Sequence, residues 1–349
     1  MIKTDVKITL FLLFLLMISG CTSSNPEVFN PETLSRTSLL MFRSDRGNNR
    51  QYYLLNIKSG EIRTIEFILS EVGEINAIDW SPLAKRFFFS FLTQTNADIY
   101  SAELNGTNVR NLTNTPEIYE SSPVVSPNGN YVAYIETYVN ENIMVMRTDG
   151  KDVRRIVKPD YKTIEPSWTP DSKHIIFRSN FEGSPNIYIV KQDGSNLRNL
   201  SKGPGKDGKF SLSIDGTLLM FDSDRSGKSD IFFLDLKTDQ FNNLTNSPAR
   251  ETQPVLSPNM KRVAFKSDLN NGVDIYVLDL ETKEIENVTQ SPNKVESDYS
   301  WSPDSASITF VSDDQNQLEI YNVNVESKQI VNLTNNPAND YAPVWITFQ

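Results

Sequence analysis

The chain of 349 residues contains one cysteine, Cys21, and one histidine, His174. A single cysteine excludes a disulfide within the chain, because a disulfide joins two thiols. A single histidine cannot supply a multi-histidine metal site, and the G-x-S-x-G sequence around many hydrolase nucleophiles is absent. These absences predict that the protein is not an enzyme. Chemistry by carboxylates alone stays open, since Asp and Glu together number 44.

The chain also lacks a hydrophobic run long enough to cross a bilayer, which takes about 20 residues. An apolar segment over residues 8–18 follows Lys3 and Lys7 and runs into Ile18-Ser19-Gly20-Cys21. This arrangement is typical of a secretory signal peptide, and its last four residues resemble a bacterial lipobox. We predict a lipoprotein signal peptide over residues 1–20, lipidation of Cys21, and a flexible tether over residues 21–36. An ordinary signal peptide that contains a cysteine is the alternative.

Excess positive charge is absent, because the formal net charge is −10. An acidic protein is repelled by nucleic acid and by anionic lipid headgroups, so neither is predicted as a direct ligand. We expect the lipid alone to hold a monomeric protein in the bacterial cell envelope. Where two membranes exist, Thr22 after the cysteine resembles the pattern of proteins sent to the outer one. The acidity favours a basic peptide, an envelope protein with a basic surface, or a divalent cation.

A repeat of about 44 residues occupies the rest of the chain. It is marked by a turn signature whose first residue we call the anchor: Ser81, Ser126, Thr169, Ser213, Ser257 and Ser302. Eight residues after each anchor stands an aromatic residue: Phe89, Tyr134, Phe177, Phe221, Phe265 and Phe310. Short alternating apolar runs separated by Pro, Asn, Asp and Gly predict four strands in each repeat. A period of this length made of strands is typical of a β-propeller.

The two ends of the repeat region complement each other. The N-terminal segment supplies a second, third and fourth strand, beginning at Leu39, without a first strand before them. The missing strand appears at residues 343–346, 44 residues beyond its counterpart at 299–302. We predict an all-β domain over residues 37–349, namely a seven-bladed propeller of four-stranded antiparallel blades. Pairing of the C-terminal strand with the N-terminal strands would close it and remove exposed sheet edges.

The repeats resemble those of the TolB family of bacterial envelope proteins. The resemblance rests on Ser302-Pro303-Asp304-Ser305, on Phe221-Asp222-Ser223-Asp224-Arg225, on Asp230-Ile231-Phe232 and on Asn243-Leu244-Thr245. It implies a propeller that binds proteins. TolB has six blades and a further N-terminal domain, whereas seven blades and a tether are predicted here. The predicted function is therefore that of a lipid-anchored module that binds a protein or peptide. Participation in the pathway of TolB itself is not predicted.

Acidic residues recur near the start of each predicted first strand. They are Glu74, Glu120, Glu165, Asp207, Glu251, Glu296 and Asp340. In a propeller the first strands surround the central channel, so these carboxylates would form a loose ring at one mouth. We consider two roles, namely hydrogen bonding to the connections between blades, or binding of a divalent cation or basic peptide.

Tyrosines occur in the same connections as the acids, at Tyr119, Tyr161, Tyr299 and Tyr341. Exposed tyrosine rings can stack on sugars. A carbohydrate-binding or carbohydrate-processing surface lipoprotein is therefore the alternative function.

Overall fold

All regular structure in the described part of the chain is β-strand. The computed structural model describes residues 39–47, 50–157, 162–270, 272–291, 294–314 and 317–347. The predicted signal peptide, Cys21 and the predicted tether lie outside these residues. The expectation of an all-β protein is confirmed.

The strands are numbered in chain order. They are β1 (Leu39–Ser44), β2 (Gln51–Asn56), β3 (Ile62–Ile65), β4 (Glu74–Ser81), β5 (Arg86–Leu92), β6 (Ala97–Glu103), β7 (Arg110–Asn111), β8 (Tyr119–Val125), β9 (Tyr131–Thr137), β10 (Glu141–Arg147), β11 (Arg154–Arg155), β12 (Thr163–Trp168), β13 (His174–Ser179) and β14 (Asn186–Lys191). They continue with β15 (Arg198–Asn199), β16 (Asp207–Leu212), β17 (Leu218–Ser223), β18 (Asp230–Asp235), β19 (Phe241–Asn243), β20 (Glu251–Leu256), β21 (Arg262–Ser267), β22 (Asp274–Asp279), β23 (Ile285–Asn287), β24 (Glu296–Trp301), β25 (Ser307–Asp314), β26 (Gln317–Asn324), β27 (Ile330–Asn332) and β28 (Asp340–Ile346).

Consecutive strands form antiparallel sheets of four. We call them unit 1 (β4–β7), unit 2 (β8–β11), unit 3 (β12–β15), unit 4 (β16–β19), unit 5 (β20–β23) and unit 6 (β24–β27). Units 1 and 2 are also joined by one parallel bridge between Ala97 and Tyr119. The remaining strands form a composite sheet in the order β28-β1-β2-β3. In it, Leu39 lies opposite Ile346 and Ser44 lies opposite Asp340.

The recurring aromatic residues pair across the middle of every sheet except that of unit 2, where Tyr134 lies opposite Met144. Phe177 on β13 lies directly opposite Tyr188 on β14, and their ring centroids are 5.8 Å apart. The rings of Phe265 and Tyr276 repeat this arrangement at 5.9 Å in unit 5. Opposed aromatic residues on one face of an antiparallel pair stabilise that pair. The repeat therefore keeps aromatic residues at these two positions for packing.

Hydrophobic clusters in the described residues join each sheet to its neighbours. The composite sheet contacts unit 1 through a cluster that includes Met41, Trp80 and Phe87. It contacts unit 6 through a second cluster that includes Phe42 and Ile320. Five further clusters join units 1 to 2, 2 to 3, 3 to 4, 4 to 5 and 5 to 6. Each sheet thus buries both faces against other sheets.

The anchor residues explain the turn signature. The Ser126 hydroxyl accepts a hydrogen bond of 2.9 Å from the Tyr131 amide and donates one of 2.8 Å to Asn128 Oδ1. The Ser302 hydroxyl makes the equivalent bonds to the Ser307 amide and Asp304. One hydroxyl therefore closes the hairpin between the first and second strands in units 2 to 6, and Asn or Asp two residues later orients it. In unit 1, Ser81 instead accepts a hydrogen bond of 3.1 Å from the Ala84 amide.

Candidate binding site along the first strands

Each first strand carries a β-bulge at a similar place. The register against the second strand shifts in units 1 to 6 and in the composite sheet. The residues four positions before the anchor form a set that we call the inner ring, with Ile346 taken as the anchor equivalent of β28. The inner ring comprises Ala77, Ser122, Glu165, Lys209, Gln253, Asp298 and Ala342. All seven retain solvent exposure, and five of them have positive φ between 42° and 59°.

First strands of neighbouring units lie side by side. The Trp168 indole donates a hydrogen bond of 2.9 Å to the Val124 carbonyl of the preceding first strand. The Trp301 indole donates one of 3.0 Å to Val255 in the same way. The Trp80 indole reaches the Thr347 carbonyl, just after β28, at 2.9 Å. These bonds bring inner-ring residues of adjacent units close together.

The most highly charged part of the inner ring spans units 3 and 4. Glu165 forms a salt bridge of 3.2 Å with Arg178 on β13 and a second one with Lys209 on β16. The buried Glu165 Oε2 and Arg178 Nε atoms have no hydrogen-bond partner in the described part of the protein. One carboxylate acceptor and one guanidinium donor are therefore unsatisfied within this ion-pair network.

Asp222 on β17 links the bulges of units 4 and 5. Its Oδ1 accepts hydrogen bonds from the amides of Lys209 at 3.0 Å and Gln253 at 2.9 Å. Burial raises the pKa of Asp222 to about 6, although the two amide hydrogen bonds oppose this shift. Gly208 is required beside it, since an added Cβ would stand 1.8 Å from Asp222 Oδ2. This carboxylate supports the backbone of the inner ring.

A second charged network lies where the composite sheet meets unit 1. Arg43 on β1 forms a salt bridge with Glu74 on β4 and lies 5.4 Å from the centre of the Tyr341 ring. Arg50 forms a salt bridge of 2.9 Å with the same carboxylate and one of 3.4 Å with Asp45. Positive and negative groups are therefore interleaved here, as they are in units 3 and 4.

The structure divides the seven predicted acids into two groups. Glu74 and Glu165 are partly exposed and belong to the two networks just described. The other five lie at the start of their first strands and are at most 3% exposed: Glu120, Asp207, Glu251, Glu296 and Asp340. The seven carboxylates are thus not one open ring, because five of them are enclosed where one unit connects to the next.

The two buried aspartates are paired with arginines. Arg225 Nη2 lies 2.6 Å from Asp207 Oδ1, and the guanidinium stacks over three aromatic rings, with the Phe241 ring centre 4.7 Å away. Arg46 Nη2 lies 2.7 Å from Asp340 Oδ2 and 4.9 Å from the Tyr53 ring centre. Both arginines are in the loop between the second and third strands. The composite sheet thus repeats the internal ion pair of unit 4.

The buried glutamates interact with hydroxyl groups. Thr289 Oγ1 donates to Glu296 Oε2 at 3.0 Å, and the Ser291 hydroxyl lies against the other oxygen. Burial raises the pKa of Glu296 to about 7, and burial likewise raises the pKa of Glu120 to about 7, while threonine and serine hydroxyls oppose both shifts. Burial also raises the pKa of Glu251. These glutamates favour the protonated form more than free glutamate does.

Stability should therefore fall as the pH rises through the folded-state pKa of Glu120 and Glu296. Since that pKa is about 7 against an ordinary value of 4.5, their contribution is fully present below pH 4.5 and is lost as pH rises through 7. We expect the Glu120→Gln/Glu296→Gln variant to be on the order of 3 kcal/mol less sensitive to a shift from about pH 5 to about pH 8. Urea unfolding at both pH values measures this. Parallel pH profiles for wild type and variant would contradict the assignment, and Glu281→Gln, an exposed change, is the control.

The predicted tyrosines are differently placed. Tyr119 is 46% exposed, whereas the Tyr299 hydroxyl donates to the Gln253 carbonyl and Tyr341 donates to Asp45 at 3.1 Å. Tyr161 lies outside the described residues.

His174 begins β13, with Nδ1 4.0 Å from Asp171 Oδ2. No group of three or more His, Cys, Asp or Glu side chains within metal-binding reach occurs among the described residues. The same ranges contain no helix of the length and apolar character needed to span a bilayer.

Four-stranded antiparallel sheets repeated along the chain and packed face to face define a β-propeller class of protein. The family described as TolB beta propeller domain matches residues 22–170, 121–272 and 252–347. The chain belongs to this family, and the resemblance inferred from the repeats is confirmed. No curated protein sequence matches the chain.

Solved structures of different functions share the fold. TolB from Acinetobacter baumannii matches with a TM-score of 0.54 and 16% identity, over 84% of this chain and 78% of that chain. A puromycin-hydrolyzing peptidase from Mycobacterium tuberculosis matches with a TM-score of 0.66 and 14% identity, over 86% of this chain and 54% of the peptidase. An oligogalacturonate lyase from Vibrio parahaemolyticus matches with a TM-score of 0.67 and 15% identity, over 84% and 88%. At these identities the similarity concerns the fold alone.

Proposed function

We propose that the chain is a lipid-anchored β-propeller of the bacterial cell envelope that binds a protein or peptide partner at its inner ring. In this proposal the six units and the composite sheet are seven blades around a central channel. The packing of the composite sheet against both unit 6 and unit 1 supports closure. So do the pairing of β1 with β28 and the bond from Trp80 to Thr347.

The observation that carries the proposed binding role is the incomplete ion-pair network at Glu165. Glu165 Oε2 and Arg178 Nε are both buried without hydrogen-bond partners in the described part of the chain. Buried polar groups are normally hydrogen-bonded, so this network is unsaturated within the chain. The side chains of Glu165, Arg178 and Lys209 are 25%, 20% and 52% exposed, so a partner can add hydrogen bonds and ion pairs at their exposed atoms. A peptide backbone has both a donor and an acceptor, and Lys209 in unit 4 and Asp298 in unit 6 offer charges for its side chains.

A binding role is favoured over catalysis and over sugar binding by the composition of this site. The inner ring contains no histidine and no cysteine. The hydroxyls of Tyr299 and Tyr341 are engaged within the protein, so Tyr119 is the remaining exposed ring among the described candidates. Sugar sites usually present exposed aromatic faces, whereas the inner ring presents charges and backbone-binding groups. The carbohydrate alternative therefore predicts binding that depends on Tyr119 and not on the inner ring.

Affinity capture with crosslinking from the native envelope tests the binding proposal. The inner-ring variant Glu165→Gln/Lys209→Met/Asp298→Asn removes the charges with little change in shape. We expect it to lose at least about 90% of a specific protein captured by the wild type, as for loss of central interface contacts. The matched control Glu281→Gln/Lys237→Met/Asp239→Asn changes the same residue types in exposed turns before the fourth strands and should capture normally.

Two results would contradict the proposal. One is equal capture by the wild type and the inner-ring variant, and the other is the absence of any specifically captured protein. In the second case a glycan array with wild type and Tyr119→Ala would test the carbohydrate alternative directly.

Lipid anchoring gives a separate prediction. Replacement of Cys21 by Ser should abolish incorporation of an alkyne-labelled fatty acid and release the protein from the membrane fraction, because the thiol is the acylated atom. A Thr22→Ser variant should remain labelled and membrane-bound. Labelling of the Cys21→Ser variant at the wild-type level would show that the N-terminus is not a lipoprotein signal.

A further inference from the structure

The connections between units fall into two length classes that differ in how they satisfy their buried acids. Five of the seven connections contain a Ser or Thr that precedes a buried acid at the start of the next first strand. The spacing is seven residues in Thr113–Glu120 and Thr289–Glu296. It is six residues in Ser201–Asp207, Thr245–Glu251 and Thr334–Asp340. We call these the long and short connections.

In the long connections, the chain itself supplies donors to a second buried acid at the start of the preceding third strand. Asp274 Oδ1 accepts a hydrogen bond of 3.0 Å from the Ser291 amide, and Asp98 Oδ1 accepts one of 3.0 Å from the Thr115 amide. The extra residue allows Ser291 to contact both Asp274 and Glu296. The carboxyl pair is thereby hydrogen-bonded without a cation.

Two of the short connections instead use an arginine. Arg225 pairs with Asp207, and Arg46 pairs with Asp340, each through Nη2 and each stacked on the aromatic pair of its own sheet. In each a guanidinium compensates the buried negative charge. In Thr334–Asp340 the Asn336 amide also donates to Glu319 at 2.9 Å, and Asp207 Oδ2 and Asp340 Oδ1 have no hydrogen-bond partner among the described residues. Both arginines stand four residues after the aromatic residue of their second strand, Phe42 for Arg46 and Phe221 for Arg225, and Leu269 stands four residues after Phe265.

The short connection between units 4 and 5 has no such arginine. Leu269 stands twelve residues after Ser257, and its side chain is exposed. Asp230 and Glu251 are 2% and 3% exposed, and neither has an ion pair among the described residues. Asp230 Oδ1 and Glu251 Oε2 are both buried without a hydrogen-bond partner in the described ranges. Asp230 Oδ2, by contrast, accepts from Asn243 at 2.8 Å and from Ser226.

The charged groups around this junction do not replace the arginine. The negative charges of Asp268 and Asp230 both raise the pKa of Glu251. Lys228, the nearest cation on the unit 4 loop, is exposed and directs its ammonium to the Pro248 carbonyl. Asp230 and Glu251 are therefore two buried carboxylates that repel each other, and no described cation forms an ion pair with either of them. Such an arrangement is costly in a protein interior.

We propose that the junction of units 4 and 5 binds a calcium ion through Asp230 and Glu251, in the place that an arginine occupies in the other short connections. Both orphaned atoms are carboxylate oxygens, which are the ligands that Ca²⁺ prefers, and Ca²⁺ tolerates irregular coordination completed by neutral oxygens and water. The hydroxyls of Thr245 and Ser247, which already act on Glu251, are in the same connection. Mg²⁺ would demand stricter octahedral geometry.

The test uses the mature protein after removal of metal with EGTA. Calcium should bind with one site per chain by calorimetry and raise the thermal midpoint by about 4 °C at saturation. Asp230→Asn and Glu251→Gln should each weaken calcium binding at least about 10-fold. Glu296→Gln, the same change in a long connection, should leave both the affinity and the thermal shift unchanged.

A substitution that restores the missing arginine makes the test sharper. The Leu269→Arg/Glu251→Asp variant reproduces the arrangement of unit 4 above the stacked Phe265 and Tyr276 rings. We expect a higher thermal midpoint in EGTA than the wild type has, and no further rise with calcium. Absence of a calcium shift in the wild type would overturn the proposal. So would a shift that survives both carboxamide variants, or one that persists in the arginine variant.

Discussion

Replacement of Arg225 by Met should lower the free energy of unfolding by about 3–5 kcal/mol, which is the usual cost of removing one partner of a buried ion pair. The guanidinium pairs with Asp207, which is 1% exposed, and donates a hydrogen bond of 2.9 Å to the Ser201 carbonyl. Methionine retains much of the packing against Phe221 and Phe232, so the loss reports mainly on the uncompensated carboxylate. Equilibrium urea unfolding at neutral pH measures it.

The control for this prediction is Arg147→Met. Arg147 forms an exposed salt bridge of 3.4 Å with Asp149, and exposed ion pairs contribute about 0–1 kcal/mol. The double variant Arg225→Met/Asp207→Asn should recover part of the loss, because the buried charge is removed with its partner. A loss below about 1 kcal/mol for Arg225→Met would mean that Asp207 is not held by this arginine.

Removal of residues 340–349 should abolish cooperative unfolding, the second large effect. The deletion removes β28, which pairs with β1 and carries Ile346 into the cluster shared with unit 1. It also removes Asp340, the partner of Arg46, and the carbonyl that Trp80 binds. The composite sheet would be left as three strands with an open edge. Tryptophan fluorescence and calorimetry during heating should show a broad transition without a defined midpoint.

A circular permutant distinguishes closure from a general need for the C-terminal residues. Its new termini lie between the exposed Pro337 and the partly exposed Ala338. A flexible linker joins residue 347 to residue 39, so that β28 is followed directly by β1. If the composite sheet is one blade, the permutant should unfold cooperatively within a few degrees of the wild type. Failure of the permutant to fold, combined with a folded truncation, would contradict closure through β28.

The sequence predicts the strands and turns well because each depends on local chemistry. The turn at Ser126 requires only a hydroxyl five residues before the amide that it binds. The ring contact between Phe177 and Tyr188 requires only that the two residues lie opposite each other in one hairpin. The aromatic residue eight positions after the anchor recurs in every repeat, and the hydroxyl that closes the hairpin recurs in units 2 to 6. The same reasoning led to the family, which the matches over residues 22–347 confirm.

The candidate site could not be read from the same spacing, since a bulge interrupts the alternation of each first strand. Counting from the anchor placed Asp207 and Glu296 at a channel mouth, whereas both are enclosed at their strand starts. The partly exposed positions include Lys209 and Asp298, two residues further along, where the register shifts. One signal was present, namely Arg46 and Arg225 each four residues after the aromatic residue of a second strand, which indicates equivalent partners for Asp340 and Asp207.

The central claim, that the inner ring contacts a protein partner, is tested most directly by a photo-crosslinking amino acid placed at Lys209. Lys209 is an exposed inner-ring residue without positive φ, so a bulky replacement is tolerated there. Lys237, equally exposed but in the outer turn after β18, is the matched position. Illumination of living cells should yield a discrete higher-mass adduct from position 209 and none from position 237. An adduct from position 237 alone, or none from either, would contradict the account.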